Sequence, residues 1–210
     1  MSVRSVFRFI VKPTVFAICL VPALWIAGDA FGITGSLGAN PIEEIQDRFG
    51  NWGLRFVLIA LAVTPVRQIT SIVLLGQLRR MLGLFAFFYV AMHFLAWLVL
   101  DQGLLVSAIV EDIAKRPFIT VGFAALLVLT AMAATSTIGM RRRLGARWQT
   151  LHNGVYVVGV LSVWHYWWQV KQDIREPLVY AVVLAALLGF RWFRRRRGPA
   201  SARRAASSTA

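Results

Sequence analysis

Three shortages frame this sequence. Cysteine occurs once, at Cys19 in an apolar run. A single cysteine excludes an intramolecular disulfide and a thiolate-held metal cluster. Histidine occurs three times, as His93, His152 and His165, each in an apolar stretch. Acidic residues are few, nine against 23 Lys and Arg. There is no G-x-G-x-x-G loop to cradle a dinucleotide, and no acid dyad or nucleophile motif. Only 15% of the 210 residues are charged and 58% are hydrophobic. That balance excludes an ordinary soluble domain and predicts a polytopic membrane protein.

What is present is a series of apolar segments. A hydrocarbon core of about 30 Å needs roughly 20 helical residues. Six segments qualify or nearly do: about 13–32, 52–65 (a short one), 81–100, 118–134, 148–169 and 178–193. All must be helices, because an open sheet edge is unsatisfied in lipid. Arg4, Arg8 and Lys12 before the first run imitate a signal peptide. The run is too long for one, and it reads as an uncleaved first span. The expected fold is an all-α integral membrane protein of about six transmembrane helices. Residues 1–12 form a cytoplasmic N-terminus, 13–193 the membrane domain, and 194–210 a basic tail. Its Ala/Ser/Arg-rich stretch, 198–210, is expected to be disordered.

Charge gives the orientation. With the N-terminus inside, seventeen of the 23 basic residues fall on the inner side. The other six are Arg48, Arg55, Lys115, Arg116, Lys171 and Arg175, and all nine acids fall on or near the outer side. This pattern predicts a multi-pass protein with both termini in the cytoplasm. The formal charge of +14 is then topology and contact with anionic lipid, with no call for nucleic acid.

The loops carry signals too. Asn40-Pro41-Ile42-Glu43 reads as a helix start, with an N-cap, proline in the first turn and an acid behind it. Ile42, Ile45 and Phe49 share one face and Gly50 ends the pattern. The expectation is a short helix on the outer surface, a connector or a docking face. The loop 101–117 should be half-helical. No internal repeat is evident. Trp52, Trp97, Trp148, Trp164, Trp167, Trp168 and Trp192 sit near span ends, where tryptophan anchors a helix at the headgroups. Those around His165 have the alternative role of walling a cofactor.

The stretch 147–171 holds two of the three histidines. One intramembrane histidine is satisfied by a hydrogen bond to a neighbouring helix. Three, with none elsewhere, point to ligation. His93 lies about 18 Å from the inner end of its span, and His165 lies about 20 Å outward of His152 at 1.5 Å per residue. His93 and His165 are therefore level, as two axial ligands of one haem must be. Zinc competes for imidazole, but its usual cysteine or carboxylate partners are not near. Haem suits imidazole in an apolar, aromatic pocket. His152 lies deeper, near the inner surface. Thirteen residues of ideal helix leave it roughly 140° from His165, a mismatch that Gly154 and Gly159 can relieve by bending. Arg79, 14 residues before His93, faces the level of His152. It reads either as an inner anchor beside Arg80 or as a haem propionate contact or unusual axial partner.

These pieces together resemble one family. They are G-A-N-P-I-E-E-I-Q at 38–46, L-R-R-M-L-G-L at 78–84, H-F at His93 and Phe94, and K-R-P-F-I-T-V-G at 115–122. The longest is T-S-T-I-G-M-R-R-R-L-G-A-R-W-Q-T-L-H-N at 135–153, and H-Y-W-W-Q-V-K follows at 165–171. Over about residues 22–193 the chain resembles the MsrQ family, haem-binding membrane subunits within the ferric reductase-like transmembrane superfamily. The resemblance implies electron transfer through heme b, one or possibly two per chain. Electrons would pass from the quinol pool to a periplasmic molybdopterin-dependent methionine sulfoxide reductase catalytic subunit, which repairs oxidised proteins. FMN is a further cofactor it implies, and the bacterial cell inner membrane the location. The methionine sulfoxide chemistry would be the partner's. The superfamily often stacks two haems on two histidines from each of two helices. Here 148–169 keeps both, whereas 81–100 keeps His93 alone, with Arg79 where an inner histidine would stand. The metal-ligand candidates are His93, His165 and His152, and the cofactor-binding candidates add Arg79. A stand-alone haem-dependent ferric or cupric reductase is the alternative.

Overall fold

The computed structural model describes residues 2–170 and 173–207. Among them are nine helices, which we number in chain order, and no strand. They are α1 Val3–Ala30, α2 Pro41–Thr70, α3 Val73–Asp101, α4 Val106–Lys115, α5 Pro117–Ala134, α6 Ile138–Leu144, α7 Ala146–His152, α8 Gly154–Gln169 and α9 Arg175–Ser207. Five are long and apolar enough to cross a membrane: α1, α2, α3, α5 and the Arg175–Arg194 part of α9. The protein is thus an all-helical, multi-pass membrane protein. The expected loop helix within 101–117 is α4. The backbone of α9 stays helical to Ser207, past Gly198 where the disordered tail was expected to begin. Residues 208–210 of that tail, and Lys171, lie outside the described residues.

Two expectations need correction. The helix starting at Pro41 does not stop at Gly50; it continues to Thr70 as one rod of 30 residues, about 45 Å long. The surface helix and the short second span are one element. Gly50 is there for a close approach, described below. The expected fifth span, 148–169, is divided by a single turn residue, Asn153, between α7 and α8. Its outer part, α8, has 16 residues, about 24 Å of helix, fewer than the other spans.

α2 is the centre of the bundle. Of its apolar stretch 56% is buried inside the protein, against 33% or less in every other span. Phe56 of α2 stacks between Phe85 and Tyr89 of α3, at 5.7 and 5.0 Å between centroids. Val57 and Leu61 of α2 and Val158 of α8 are all but fully buried. At one end of the bundle Arg48 joins α2 to α1 through Asp29 (2.5 Å), whose other oxygen accepts from Thr34 (2.6 Å).

Interior prolines in α1 and α2 each free backbone groups that lipid cannot satisfy. Side chains from other helices serve the breaks at Pro22 and Pro65. Beside Pro22, the Tyr89 hydroxyl accepts from Ala23 N–H at 3.0 Å and donates to Cys19 O at 2.7 Å. It replaces the i→i−4 bond those two groups would have made with each other. Pro65 has no N–H for Leu61 O, and Arg191 of α9 donates Nη2 to that carbonyl at 2.6 Å. The prolines thereby dock α3 onto α1 and α9 onto α2. Tyr89→Phe keeps the ring stack and removes the bridge. It should lower stability by about 1–3 kcal/mol, read as a reduced unfolding midpoint in detergent. An unchanged midpoint would show that the hydroxyl holds nothing.

Candidate functional site

The two histidines expected to lie level do converge. His93 of α3 and His165 of α8 have ring centroids 6.2 Å apart and planes at 75°. They face a cavity of about 600 Å³, within the usual range for a ligand site. Leu54, Val90, Phe94 and Leu126 give it apolar walls, and Asp47, Asp101, Arg116 and Gln169 line its outer part.

Hydrogen bonding decides which ring nitrogen is free. His93 Nδ1 lies 2.8 Å from Gln46 O, and His165 Nδ1 lies 2.7 Å from Phe118 O. A carbonyl only accepts, so each Nδ1 carries a proton, and in the neutral ring each Nε2 then keeps its lone pair. Two neutral imidazoles held in this tautomer are metal ligands with their orientation already fixed. Their spacing suits one ion between them. Two metal–nitrogen bonds of about 2 Å plus two ring radii of about 1.1 Å make roughly 6 Å.

Glycine makes both contacts possible. A Cβ on Gly50 would lie 3.0 Å from His93 Nδ1, and one on Gly122 would lie 2.9 Å from His165 Nδ1 and Cε1. In a helix, Cβ of one residue leans back over the preceding turn. Without it, the carbonyl four residues earlier is open from the side. Gln46 precedes Gly50 by four residues, as Phe118 precedes Gly122, and each carbonyl has a second lone pair for the imidazole.

The same three-part seat is built twice. Gln46 and Phe118, Gly50 and Gly122, and His93 and His165 are each 72 residues apart. The α2–α3 pair and the α5–α8 pair thus repeat one construction, where no repeat was expected. The identities of Gln46 and Phe118 conceal it, since only their backbone is used. The sequence signal available was the glycine standing 43 residues before each outer histidine.

The inner positions are built differently. His152 ends α7, one turn residue before the helix that carries His165. Trp148 stacks on the His152 ring at 3.9 Å, and His152 Nε2 lies 3.2 Å from Thr135 Oγ1. Thr135 gives its hydroxyl proton to Ala131 O at 2.7 Å. It therefore accepts from His152, whose Nε2 carries the proton, the reverse of the outer pair. Arg79 is partly buried and within electrostatic reach of His152, but no hydrogen bond joins them among the described residues. The 72-residue offset pairs His152 with Arg80, which is exposed. No cluster of three His, Cys, Asp or Glu side chains occurs among the described residues. Of the tryptophans, Trp168 lines the histidine cavity and stacks on Trp164 at 5.8 Å. Trp97 is buried and donates to Asp112 at 3.2 Å.

Comparison with known proteins gives the family. Residues 49–163 match the family model described as the ferric reductase like transmembrane component. A Bordetella pertussis protein named protein-methionine-sulfoxide reductase heme-binding subunit MsrQ is 46% identical over 202 residues, 93% of this chain and 96% of that protein. Proteins of the same name are 53% identical in Xanthomonas euvesicatoria, over 76% of this chain and 73% of theirs, and 50% identical in Ralstonia nicotianae, over 86% and 84%. No solved structure matches the chain. With these relatives across most of its length, and with the family model over more than half of it, the chain belongs to the MsrQ family of ferric reductase-like transmembrane proteins.

Proposed function

We propose that this protein is a haem-binding electron-transfer subunit of the bacterial inner membrane. The observation that carries the reading is the pair of Nδ1-anchored imidazoles, 6.2 Å apart across the outer cavity. His93 and His165 would hold the iron through Nε2. Haem b bound there supplies an iron that takes up and releases one electron at a time. The residues of the chain do the rest. Gln46 O and Phe118 O fix both rings and raise their basicity, and the apolar walls keep water from the site. Quinol is the electron source we assign, and a periplasmic molybdopterin-dependent methionine sulfoxide reductase is the acceptor. The reach of the cavity to Asp47, Asp101 and Arg116 favours delivery on the acid-bearing side. One haem is the count this construction supports, since the chain has no fourth histidine to pair with His152.

Six crossings with both termini cytoplasmic fit the packing. α7 and α8 run antiparallel to the whole of α5, from Trp148 Nε1 on Thr135 O (2.9 Å) to His165 on Phe118 O. They therefore traverse the same thickness as α5, which is long enough to span.

Detergent-purified protein should show a sharp Soret band, with α and β bands on dithionite reduction. Colourless, folded protein would end the haem reading. His93→Ala and His165→Ala should each abolish the low-spin spectrum, and a wild-type spectrum in both would refute the pairing. Gly50→Ala and Gly122→Ala press a methyl group on the anchored ring. Each should weaken haem binding by about 10- to 100-fold, measured by titrating haem into apoprotein. Undiminished affinity would show that the glycines are incidental. Reduction of chelated Fe(III) by quinol at full rate, with the periplasmic enzyme making no difference, would favour the stand-alone reductase instead.

A further inference from the structure

At the basic end of the bundle three arginines gather without a counter-charge among the described residues. Arg79 starts the α-helical part of α3 and is partly buried. Arg67, in the last turn of α2, and Arg191 of α9 both lie within its electrostatic reach. Arg67 folds back over the α2–α3 turn, where its Nη1 would be 3.3 Å from a Cβ on Gly76. Neither Arg67 nor Arg79 has a hydrogen bond or ion pair among the described residues. Arg191 commits its two terminal nitrogens to Tyr156 and Leu61 O, and its Nε is buried without a partner.

Nothing among the described residues offsets this charge. The ion pairs found among the described residues all join residues of the opposite end, where the acids also lie. Arg79 and Arg191 are partly buried and Arg67 is exposed at the rim, and like charges so gathered repel where burial weakens solvent screening. An unpaired buried donor adds its own cost. Arg80, the next residue, behaves as an ordinary interfacial cation: it is exposed and lines a groove with Lys12 and Gln77. Arg79 points to a different environment and needs a different explanation.

We propose that Arg67, Arg79 and Arg191 form a phosphate site. A phosphate brings up to two negative charges and several acceptor oxygens, and guanidinium forks bind such groups bidentately. A single carboxylate would leave two of the three charges unmet. The phosphate belongs to a lipid headgroup or to a soluble phosphate compound, and the two are separable.

The test uses full-length protein in maltoside micelles, which contain no phosphate. Unfolding midpoints are compared in sodium phosphate and in sodium chloride of matched ionic strength, and in chloride with phosphatidylglycerol added to the micelles. We expect a higher midpoint with phosphate, lost in Arg79→Gln and kept in Arg80→Gln. Arg79→Lys, which keeps the charge and loses the fork, should raise the half-saturating phosphate about tenfold. Arg67→Gln provides an independent loss if Arg79→Gln does not elute as folded protein. A response to phosphatidylglycerol alone, with the same Arg79 dependence, assigns the site to a lipid headgroup. No Arg79-dependent response to either compound overturns the proposal, as does an equal loss in Arg80→Gln.

Discussion

A histidine ring laid against a glycine, its Nδ1 proton on the carbonyl one turn before that glycine, is the contact on which this architecture turns. It asks three things of the fold. Two helices must approach until backbone and ring touch, the glycine must fall at one height, and the carbonyl must be free on one side. Each condition is met twice. Lipid offers no hydrogen bond to an imidazole, so a ring without this seat would be costly at that depth. The seat lowers that cost and sets the tautomer in the same step.

The rest of the bundle keeps these close approaches in register. α2 is central because it supplies one seat and, a turn further on, Gly53 against Val90 of the helix that carries His93. Pro22 and Pro65 serve the same end. Each breaks a ladder where another helix supplies the missing partner: Tyr89 at Pro22 and Arg191 at Pro65. In water such breaks would be solvated and specify little. In lipid they become fixed docking points between helices, since few other polar partners exist there.

The parts of this design that depend on type and period were legible in the residues. Apolar runs gave the helices, charge gave the two ends, and depth along the helix placed His93 and His165 at one level. The parts that depend on absence were not. Gly50 follows an amphipathic turn and so imitates a helix stop, yet its role is to leave space for a ring on another helix. Gln46 and Phe118 contribute only a carbonyl, which any residue provides. The division at Asn153 has no proline to announce it. Arg79 stood out by helical angle, but whether it or Arg80 faces inward depends on how the helix is seated, and the 3₁₀ turn at Val73–Leu78 that leads into it does not follow from hydropathy.

The repeat also shows why the two ends of the bundle differ. Both hairpins carry the outer seat, so two equivalent imidazoles converge there with free Nε2 atoms. At the inner level the repeat fails. The second hairpin has His152, held by Thr135 and Trp148, and the first has Arg80, turned outward. A centre with two matched ligands can be assembled by this construction at the acid-bearing end only. The inner end lacks an imidazole at the repeat position opposite His152, so one broken symmetry confines the matched ligand pair to the outer end of the bundle.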